Sequence, residues 1–374
     1  MIRGDDLKRK IIVLLIITVL ILNISGCKKV PEVTRYQAQF LELFDTVTTI
    51  VGYSEDKETF SEFAQSVYDD LEVYHELYDK YHDYEGVNNI KTINDNAGIS
   101  PVKVDRKIID MLLFSRDAYE LSDGMVNVAF GAVLEVWHDY REAGTDEPEN
   151  AEVPPMEILK EKAKHTDINR LIIDEAASTV YLEDPEMRLD VGAIAKGYAT
   201  EQVALLAMEM GYTNGLLSVG GNVRAIGSKG YGILADKAEG NGVGIEDAWN
   251  VGIQNPEKEN NENYLYILNL EDLSLVSSGD YERYYTVDGV EYHHIIDPTT
   301  LLPGENFTAV SIVTENSGLA DALSTAIFNL PYEEGLALIE ELEGTEALWV
   351  MSDGTMRFSS GFEALIKQQD ETTK

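Results

Sequence analysis

The ten residues from Asp190 to Ala199, DVGAIAKGYA, constrain the fold of this chain more than any other segment. Two glycines and several alanines stand where an extended run over 187–191 gives way to a helix predicted over about 194–210. The glycines let a backbone approach a ligand closely, and Lys196 adds a positive charge near the free N–H groups of a helix N-terminus. The segment therefore suits a phosphate-bearing ligand. The same residues are equally consistent with a tightly packed strand-to-helix turn.

Neither of the two common phosphate-binding motifs occurs in this segment. A Walker loop places its lysine after the last glycine and before Ser or Thr, whereas Lys196 precedes Gly197 and Tyr198. The dinucleotide pattern G-x-G-x-x-G is also absent. Spacing alone therefore leaves both interpretations of the segment open.

The N-terminal residues are typical of a lipoprotein signal peptide. Four basic residues between positions 3 and 10 precede an apolar run over 11–24, which leads into Ser25, Gly26 and Cys27. The apolar run is short for a membrane-spanning helix, which needs roughly 20 residues. We expect cleavage before Cys27, lipidation of this single cysteine, and a globular part held outside the cytoplasm at the cell membrane. An uncleaved N-terminal anchor is the alternative.

The chain is strongly acidic, with a formal net charge of −38. Residues 1–26 hold four basic and two acidic side chains, so their removal takes the charge to −40. Such a surface argues against binding to nucleic acid or to anionic lipid. It also repels free nucleotides, so an anion of dinucleotide size needs local positive charge. A divalent cation is the natural candidate.

Hydrophobic periodicity predicts an α+β fold. Apolar residues recur at helical spacing from Phe60 to Leu77, with Ser54 as a possible cap, and a second helix is predicted over about 105–121. Residues 142–155 are rich in proline and acids and predict an exposed loop insertion. Strands in meanders with helices in a few blocks favour α+β over a regular βαβ fold.

The remaining elements are predicted from β-branched runs, apolar spacing and turn residues. Strands are expected at 171–174, 179–182, 215–219, 222–226, 230–234, 249–254, 264–270, 274–278, 281–287, 290–296 and 309–313. Asp288-Gly289 is a hairpin signal, and Ser352-Asp353-Gly354 marks another hairpin. Helices are expected at 318–329 and 332–342, and mobile loops at 237–247 and 257–263.

Six separated motifs together resemble the ApbE family of FAD:protein FMN transferases. In chain order they are DVGAIAKGYA (190–199), LLSVGGNVRAIG (216–227), WNVGIQNP (249–256), SSGDYERYY (277–285), HIIDP (294–298) and LADALSTAIF (319–328). The resemblance runs from about Phe44 to Phe362. It implies an α+β fold related to an internally duplicated T-fold, with antiparallel sheets and packed helices.

The resemblance also implies an activity. Family members transfer FMN from FAD to a threonine hydroxyl of an acceptor flavoprotein and release AMP. Some relatives instead hydrolyse FAD to FMN and AMP, and a non-catalytic, lipid-anchored flavin-binding or solute-binding protein is a further alternative. The expected organisation is a signal peptide (1–26), a tether (27–39), a flavin transferase domain (40–366) and a polar tail (367–374).

Asp321 and Thr325 lie four residues apart on a predicted helix, so their side chains share one face. Carboxylate and hydroxyl oxygens suit Mg²⁺, which keeps waters and substrate phosphate oxygens as its other ligands. The resemblance implies that both residues bind Mg²⁺, with the carbonyl of Ala193 as a third ligand. In the alternative without a metal ion, Asp321 complements the helix dipole and the Thr325 hydroxyl donates to a carbonyl one turn earlier.

His294 is the candidate base that helps a threonine hydroxyl attack, because an unperturbed histidine titrates near neutral pH. A loop-ordering histidine is the alternative. Positioning and charge dominate phosphoryl transfer, so loss of Asp321, the other catalytic candidate, is expected to matter more than loss of His294. By resemblance Lys196 contacts FAD through a phosphate or the ribose, and otherwise it is a solvated helix residue.

The resemblance places further flavin contacts in four segments. They are Phe44; Tyr78, Asp79 and Lys80; Met125, Val126 and Asn127; and Ile295 beside His294. Phe44 stands where many relatives have Met, Asn127 where Asp is usual, and Ala129 where Thr is usual. The aromatic and apolar members of the set are equally consistent with core positions.

Overall fold

The computed structural model describes residues 33–229, 247–257 and 263–368. Its strands, in chain order, are β1 (Thr34–Phe40), β2 (Thr48–Ser54), β3 (Val102–Lys103), β4 (Leu171–Asp174), β5 (Thr179–Leu182), β6 (Asn214–Val219), β7 (Asn222–Gly227), β8 (Trp249–Gln254), β9 (Tyr264–Leu270), β10 (Ser274–Gly279), β11 (Tyr284–Val287), β12 (Val290–His293), β13 (Phe307–Thr314), β14 (Glu346–Met351) and β15 (Met356–Phe358). Its helices are α1 (Lys57–Tyr78), α2 (Ile90–Asp95), α3 (Arg106–Leu121), α4 (Gly131–Asp146), α5 (Met156–Lys162), α6 (Ala195–Glu209), α7 (Ser317–Asn329) and α8 (Tyr332–Glu341). The predicted α+β class is confirmed.

The centre of the fold is an eight-stranded sheet in the order β1-β2-β6-β7-β10-β13-β14-β15. All its neighbouring strands run antiparallel. A three-stranded sheet (β3-β5-β4) and two hairpins (β8-β9 and β11-β12) stand apart from it. The hairpins matter for the site, because β11-β12 carries the HIIDP motif at its end.

The central strands of the large sheet are buried on both faces, whereas the edge strands β1 and β15 are largely exposed. Successive residues of a strand point to opposite faces, and Ile50 and Val51 accordingly pack into different hydrophobic clusters. Leu275 and Val276 divide in the same way between the cluster under β8-β9 and the cluster under α7 and α8. The central strands are therefore nearly continuous apolar runs, because neither of their faces meets water.

Helices α1, α6 and α7 cover one face of the sheet. Asp56 caps α1 by accepting a hydrogen bond from the Thr59 N–H at 2.8 Å, and Asn316 caps α7 by accepting one from Leu319 at 2.9 Å. Helix α6 packs against both α1 and α7 and has small buried residues on more than one side. It is therefore a central helix, and its first turn lies in the DVGAIAKGYA segment.

Helix α4 packs against the β11-β12 hairpin. The Trp137 indole N–H donates to the Leu301 carbonyl at 3.0 Å, and its ring stacks on Tyr292 at 6.1 Å between centroids. Any side chain at position 144 would place its Cβ only 2.6 Å from the Tyr285 ring, so Gly144 leaves room for this ring. Both strands of this hairpin are thereby held against α4.

Several local predictions were wrong. Residues 142–155 do not form a loop throughout, because α4 continues to Asp146 and a short 3-10 turn spans 148–150. Asp56, not Ser54, caps α1, since Ser54 still pairs with Thr34. The predicted tether 27–39 overlaps β1, which already begins at Thr34, and Lys367 of the predicted tail donates its N–H to the Ile267 carbonyl.

The strands around HIIDP are shorter than predicted. Strand β11 begins at Tyr284 rather than 281, and β12 ends at His293 rather than 296. After His293 the chain turns, and the Gly304 N–H donates to the Ile295 carbonyl. This end of the strand leaves His294 outside the ladder.

Some predictions fall outside the described residues. These are the signal peptide, Cys27, the strand at 230–234, and most of the loops at 237–247 and 257–263. Across the described ranges, no helix has the length and apolar character needed to cross a membrane.

Candidate active site

Helices α6 and α7 meet at Gly197. A Cβ at this position would overlap the Ser317 carbonyl oxygen and the Asp321 Cβ, so only glycine fits without a shift of one helix. The Gly197 N–H donates to Asp321 Oδ2 at 2.8 Å. The close approach therefore joins the DVGAIAKGYA segment to Asp321, 124 residues later in the chain.

Asp321 is a buried carboxylate, only 5 % exposed. Burial raises its pKa, and the nearby Lys196 charge and the Gly197 N–H oppose that rise. No ion pair with Asp321 occurs in the described ranges. A carboxylate held in this way is ready for a cationic ligand.

Two further oxygen donors belong to the same junction. Thr325 lies one turn after Asp321 on α7 and is half-buried. The Gly197 N–H, which would bond to the Ala193 carbonyl in a regular helix, bonds to Asp321 instead. Carboxylate, hydroxyl and carbonyl oxygens are the ligand types that Mg²⁺ prefers. Among the described residues, no cluster of three or more His, Cys, Asp or Glu side chains suits a metal.

A buried ion pair fixes the start of α7. Arg224 Nε donates to Glu201 Oε2 at 3.0 Å, and both side chains are almost fully buried. The same Glu201 oxygen accepts the Ser317 N–H at 2.8 Å. This pair ties α6, β7 and the N-terminus of α7 together one turn before Asp321. Sequence reasoning missed it, although GGNVRAIG includes Arg224.

Asp190, at the start of the motif, has a different environment from Asp321. Lys80 Nζ lies 2.5 Å from Asp190 Oδ2, and Asp190 Oδ1 accepts the Gly192 N–H at 2.9 Å. Although burial opposes both charges, the pair lowers the pKa of Asp190 and raises that of Lys80. Lys80, a predicted flavin contact, is therefore already neutralised by a neighbouring carboxylate.

Phe44 lies in a strained turn. Phe44 and Asp45 have φ values of 54° and 51°, a left-handed conformation that is unfavourable for a bulky residue. The Phe44 N–H donates to His75 Nδ1 at 3.2 Å, and the two rings meet edge to face at 5.6 Å. Thr46 packs against Gly220, so the turn adjoins the Gly220-Gly221 loop. The structure thus brings the Phe44 turn and the LLSVGGNVRAIG motif together.

The other predicted flavin contacts are mostly engaged within the protein. Tyr78 is buried and donates its hydroxyl to the Lys107 carbonyl, and Asp79 accepts from the backbone of Tyr81 and His82. Asn127 bridges the Thr166 carbonyl and the Ala129 N–H.

The apolar members of that set are core residues. Val126 and Ile295 are buried in two different hydrophobic clusters, and the half-buried Met125 packs against the first of them. Met125 and Phe44 therefore keep part of their surface open to a ligand, whereas Val126 and Ile295 have little left to offer.

His294 is surrounded by positive charge. Burial and the charges of Arg283, Arg141 and Lys196 lower the pKa of His294 to about 3. Its buried Nδ1 has no hydrogen-bond partner in the part of the chain that the structure describes. A neutral imidazole with an open, buried nitrogen can accept a hydrogen bond from a hydroxyl, but it is a weak base as long as the surrounding positive charges are not offset.

Arg141 was not predicted, because its approach to His294 depends on the packing of α4 against a hairpin far along the chain. His293 differs from His294, since both of its ring nitrogens are bonded, to Gly304 and to Ile295. His293 therefore has a structural role.

Comparison with known proteins gives a consistent family. A model of the ApbE family matches residues 44–349. The FAD:protein FMN transferase of Treponema pallidum is 36% identical over 287 residues, which cover 75% of each chain. The corresponding protein of Klebsiella pneumoniae is 28% identical over 290 residues, covering 76% of this chain and 83% of the relative.

Solved structures agree with this match. The ApbE protein of Thermotoga maritima superposes with a TM-score of 0.74 at 28% identity, covering 90% of this chain and all of that one. The flavin transferase ApbE of Vibrio cholerae shares the fold, with a TM-score of 0.70 at 22% identity over 89% of this chain and all of that one. The chain therefore belongs to the ApbE family.

Proposed function

We propose that this protein transfers FMN from FAD to a threonine hydroxyl of an acceptor flavoprotein and releases AMP, with Mg²⁺ as cofactor. The observation that carries the proposal is the junction at Gly197, where the buried Asp321 accepts the Gly197 N–H and the Lys196 charge acts on its carboxylate. Thr325 lies one turn later on the same helix. The relatives described above bear the name of this reaction.

Asp321, Thr325 and the Ala193 carbonyl would hold the metal ion. Bound Mg²⁺ would offset the charge of the FAD pyrophosphate and of the departing AMP. The residual negative charge of Asp321, which burial disfavours, would be compensated in the same complex. Lys196 adds a second positive charge at the N-terminal turn of α6.

His294 would accept the proton of the threonine hydroxyl. The threonine oxygen forms a bond to the phosphorus attached to riboflavin, and the bond from that phosphorus to the bridging oxygen breaks. AMP leaves with the bridging oxygen, and the proton stays on the imidazole until it returns to solvent. The low pKa of His294 keeps this imidazole neutral before the substrate binds, and the negative charge of the FAD phosphates would raise its basicity in the complex.

One assay tests the reaction. The purified protein is incubated with FAD and Mg²⁺, with and without a threonine-containing acceptor flavoprotein, and flavin and AMP are followed. Covalent flavin on the acceptor with equimolar AMP supports transfer. Free FMN without a labelled acceptor indicates FAD hydrolysis, and intact FAD contradicts both reactions and favours a flavin-binding protein.

We also propose that the mature protein is lipid-anchored outside the cytoplasm. Support comes from the basic N-terminus, the apolar run and Cys27, which lie outside the described residues. Mass spectrometry of the membrane-extracted protein should find Cys27 as the first residue, with a lipid attached. An intact N-terminal methionine would contradict this.

A further inference from the structure

Arg141 on α4 forms no ion pair within the described ranges, although the charges of Glu142 and Asp190 act on its guanidinium. The side chain is half-buried, and burial lowers its pKa. Its Nη2 lies 2.9 Å from His138 Nδ1. Throughout the described residues, no Asp or Glu forms an ion pair with Arg141. A partly buried charge is normally paired. Because only Nη2 of this guanidinium contacts His138, its other N–H donors can bind an anionic ligand.

The position of Arg141 is fixed by a chain of contacts that starts at Asp190. Lys80 pairs with Asp190 and lies over the Tyr81 ring at 4.8 Å, and that ring meets the His138 ring at 5.5 Å. His138 Nε2 lies 3.2 Å from Glu142 Oε1, which leaves Nδ1 to accept from Arg141. Arg141 is thus held at the edge of the candidate site.

A second unpaired arginine lies nearby. Arg283 precedes β11, and no ion pair of Arg283 is found in the described ranges. Its charge disfavours protonation of both Arg141 and His294. Helix α4 and the hairpin are fixed together through Trp137 and Tyr292. Arg283 is exposed, and Glu142 and Asp190 oppose its effect on Arg141. Two nearby guanidinium groups repel each other, and an anion between them lowers that cost.

We propose that Arg141 and Arg283 together bind the phosphate of the FMN half of FAD, on the His294 side of the site. The inference rests on the proposed function, in which the hydroxyl beside His294 attacks this phosphorus. Guanidinium forks match phosphate oxygens in a bidentate way. The pair also adds local positive charge in a strongly acidic protein.

The test compares FMN with riboflavin, which lacks only the phosphate. Binding of each to the full chain is measured without Mg²⁺ by quenching of flavin fluorescence. The wild-type protein should prefer FMN, and Arg141→Gln should reduce the FMN-to-riboflavin affinity ratio about tenfold, as expected for one charge-assisted contact. Arg283→Gln should act in the same direction.

Two further variants complete the design. Arg106→Gln, which removes an exposed arginine paired with Asp110 and Glu175, should leave the ratio unchanged. Arg141→Lys, which keeps the charge but not the fork, should give an intermediate ratio. An unchanged riboflavin affinity in Arg141→Gln shows that the variant is folded.

Equal binding of FMN and riboflavin by the wild-type protein would overturn the proposal, as would an unchanged ratio in Arg141→Gln. Because these measurements need no turnover, they are independent of the transfer assay. A reduced ratio in a protein that transfers no FMN would reject the proposed function and keep the phosphate site. Normal transfer with an unchanged ratio would reject the phosphate site and keep the proposed function.

Discussion

The half-buried Asp190 and the buried Asp321 have opposite electrostatic environments. Asp190 has Lys80 at 2.5 Å, and its pKa is lowered. Asp321 has a backbone N–H at 2.8 Å, and its pKa is raised. A carboxylate that is paired with a cation stabilises the fold. A buried carboxylate without such a partner raises the free energy of the folded state, and a bound cation can remove that cost. The difference separates a structural acid from a ligand-binding acid.

The largest expected effect is the loss of activity in Asp321→Asn. Removing a metal-binding carboxylate that supports charge stabilisation worth several kcal/mol should reduce kcat/KM by about three orders of magnitude. AMP release from FAD measures it. Asp110→Asn, an exposed carboxylate paired with Arg106, is the matched control and should retain full activity. Comparable losses in both variants would remove the special role of Asp321.

Lys80→Met should cause the largest loss of stability. It leaves Asp190 buried without its partner, which costs about 3 kcal/mol in the free energy of unfolding. Urea unfolding measures the change. Lys91→Met, which removes a half-buried lysine paired with the exposed Asp83 and Asp95, should cost clearly less. Equal losses would show that the Lys80 pair is no more than a surface contact.

Gly197→Ala should act on both stability and metal binding. The added methyl meets Ser317 and Asp321, and such overpacking costs about 1–3 kcal/mol. The helices must move apart, so the apparent affinity for Mg²⁺ in the activity assay should fall as well. Gly192→Ala, in the same segment, meets only a side-chain oxygen of Asp190 at 3.0 Å and should be milder. A fully stable Gly197→Ala with normal Mg²⁺ dependence would contradict the close-contact argument.

The smallest effect is a difference in pH dependence between the two carboxylates in the metal-free protein. The pKa of Asp190 is lowered on folding, so its stabilising contribution is present above the unfolded value near 3.9 and is lost as pH falls through the folded pKa. The pKa of Asp321 is raised, so its contribution is present at low pH and is lost as pH rises.

At pH 7, therefore, Asp190→Asn should be less stable than wild type, and Asp321→Asn should be at least as stable. The Asp190→Asn difference should shrink only as pH falls below about 4, whereas the Asp321→Asn difference should already shrink at higher pH, because the pKa of Asp321 is raised. Denaturant unfolding at a series of pH values measures them. Two variants that lose stability equally at pH 7 would remove the contrast between the two acids.

Much of the fold could be predicted from the sequence where local pattern decides structure. The strands Leu171–Asp174, Thr179–Leu182, Trp249–Gln254 and Tyr264–Leu270 have the predicted bounds, because β-branched runs end at turn residues. Prediction failed where tertiary packing overrides composition. Helix α4 continues to Asp146 because Gly144 packs on Tyr285, a contact that no local pattern reveals.

The site was predictable only in part for the same reason. The four-residue spacing of Asp321 and Thr325 is visible in the sequence. The contact of Asp321 with Gly197, in contrast, joins two helices that are distant in the chain. Likewise, the Glu201 and Arg224 pair joins a helix to a strand, and Arg141 reaches His294 only through helix-hairpin packing. The ligand assignments themselves remain predictions.

Mg²⁺-dependent thermal unfolding tests the central claim, that Asp321 binds the metal, most directly. The melting temperature is measured at pH 7 as Mg²⁺ is added, for the wild-type protein, Asp321→Asn and the control Asp110→Asn. The account predicts a saturable rise for wild type and Asp110→Asn, since binding to the folded state stabilises it, and no such rise for Asp321→Asn. The same rise in Asp321→Asn as in wild type would contradict it.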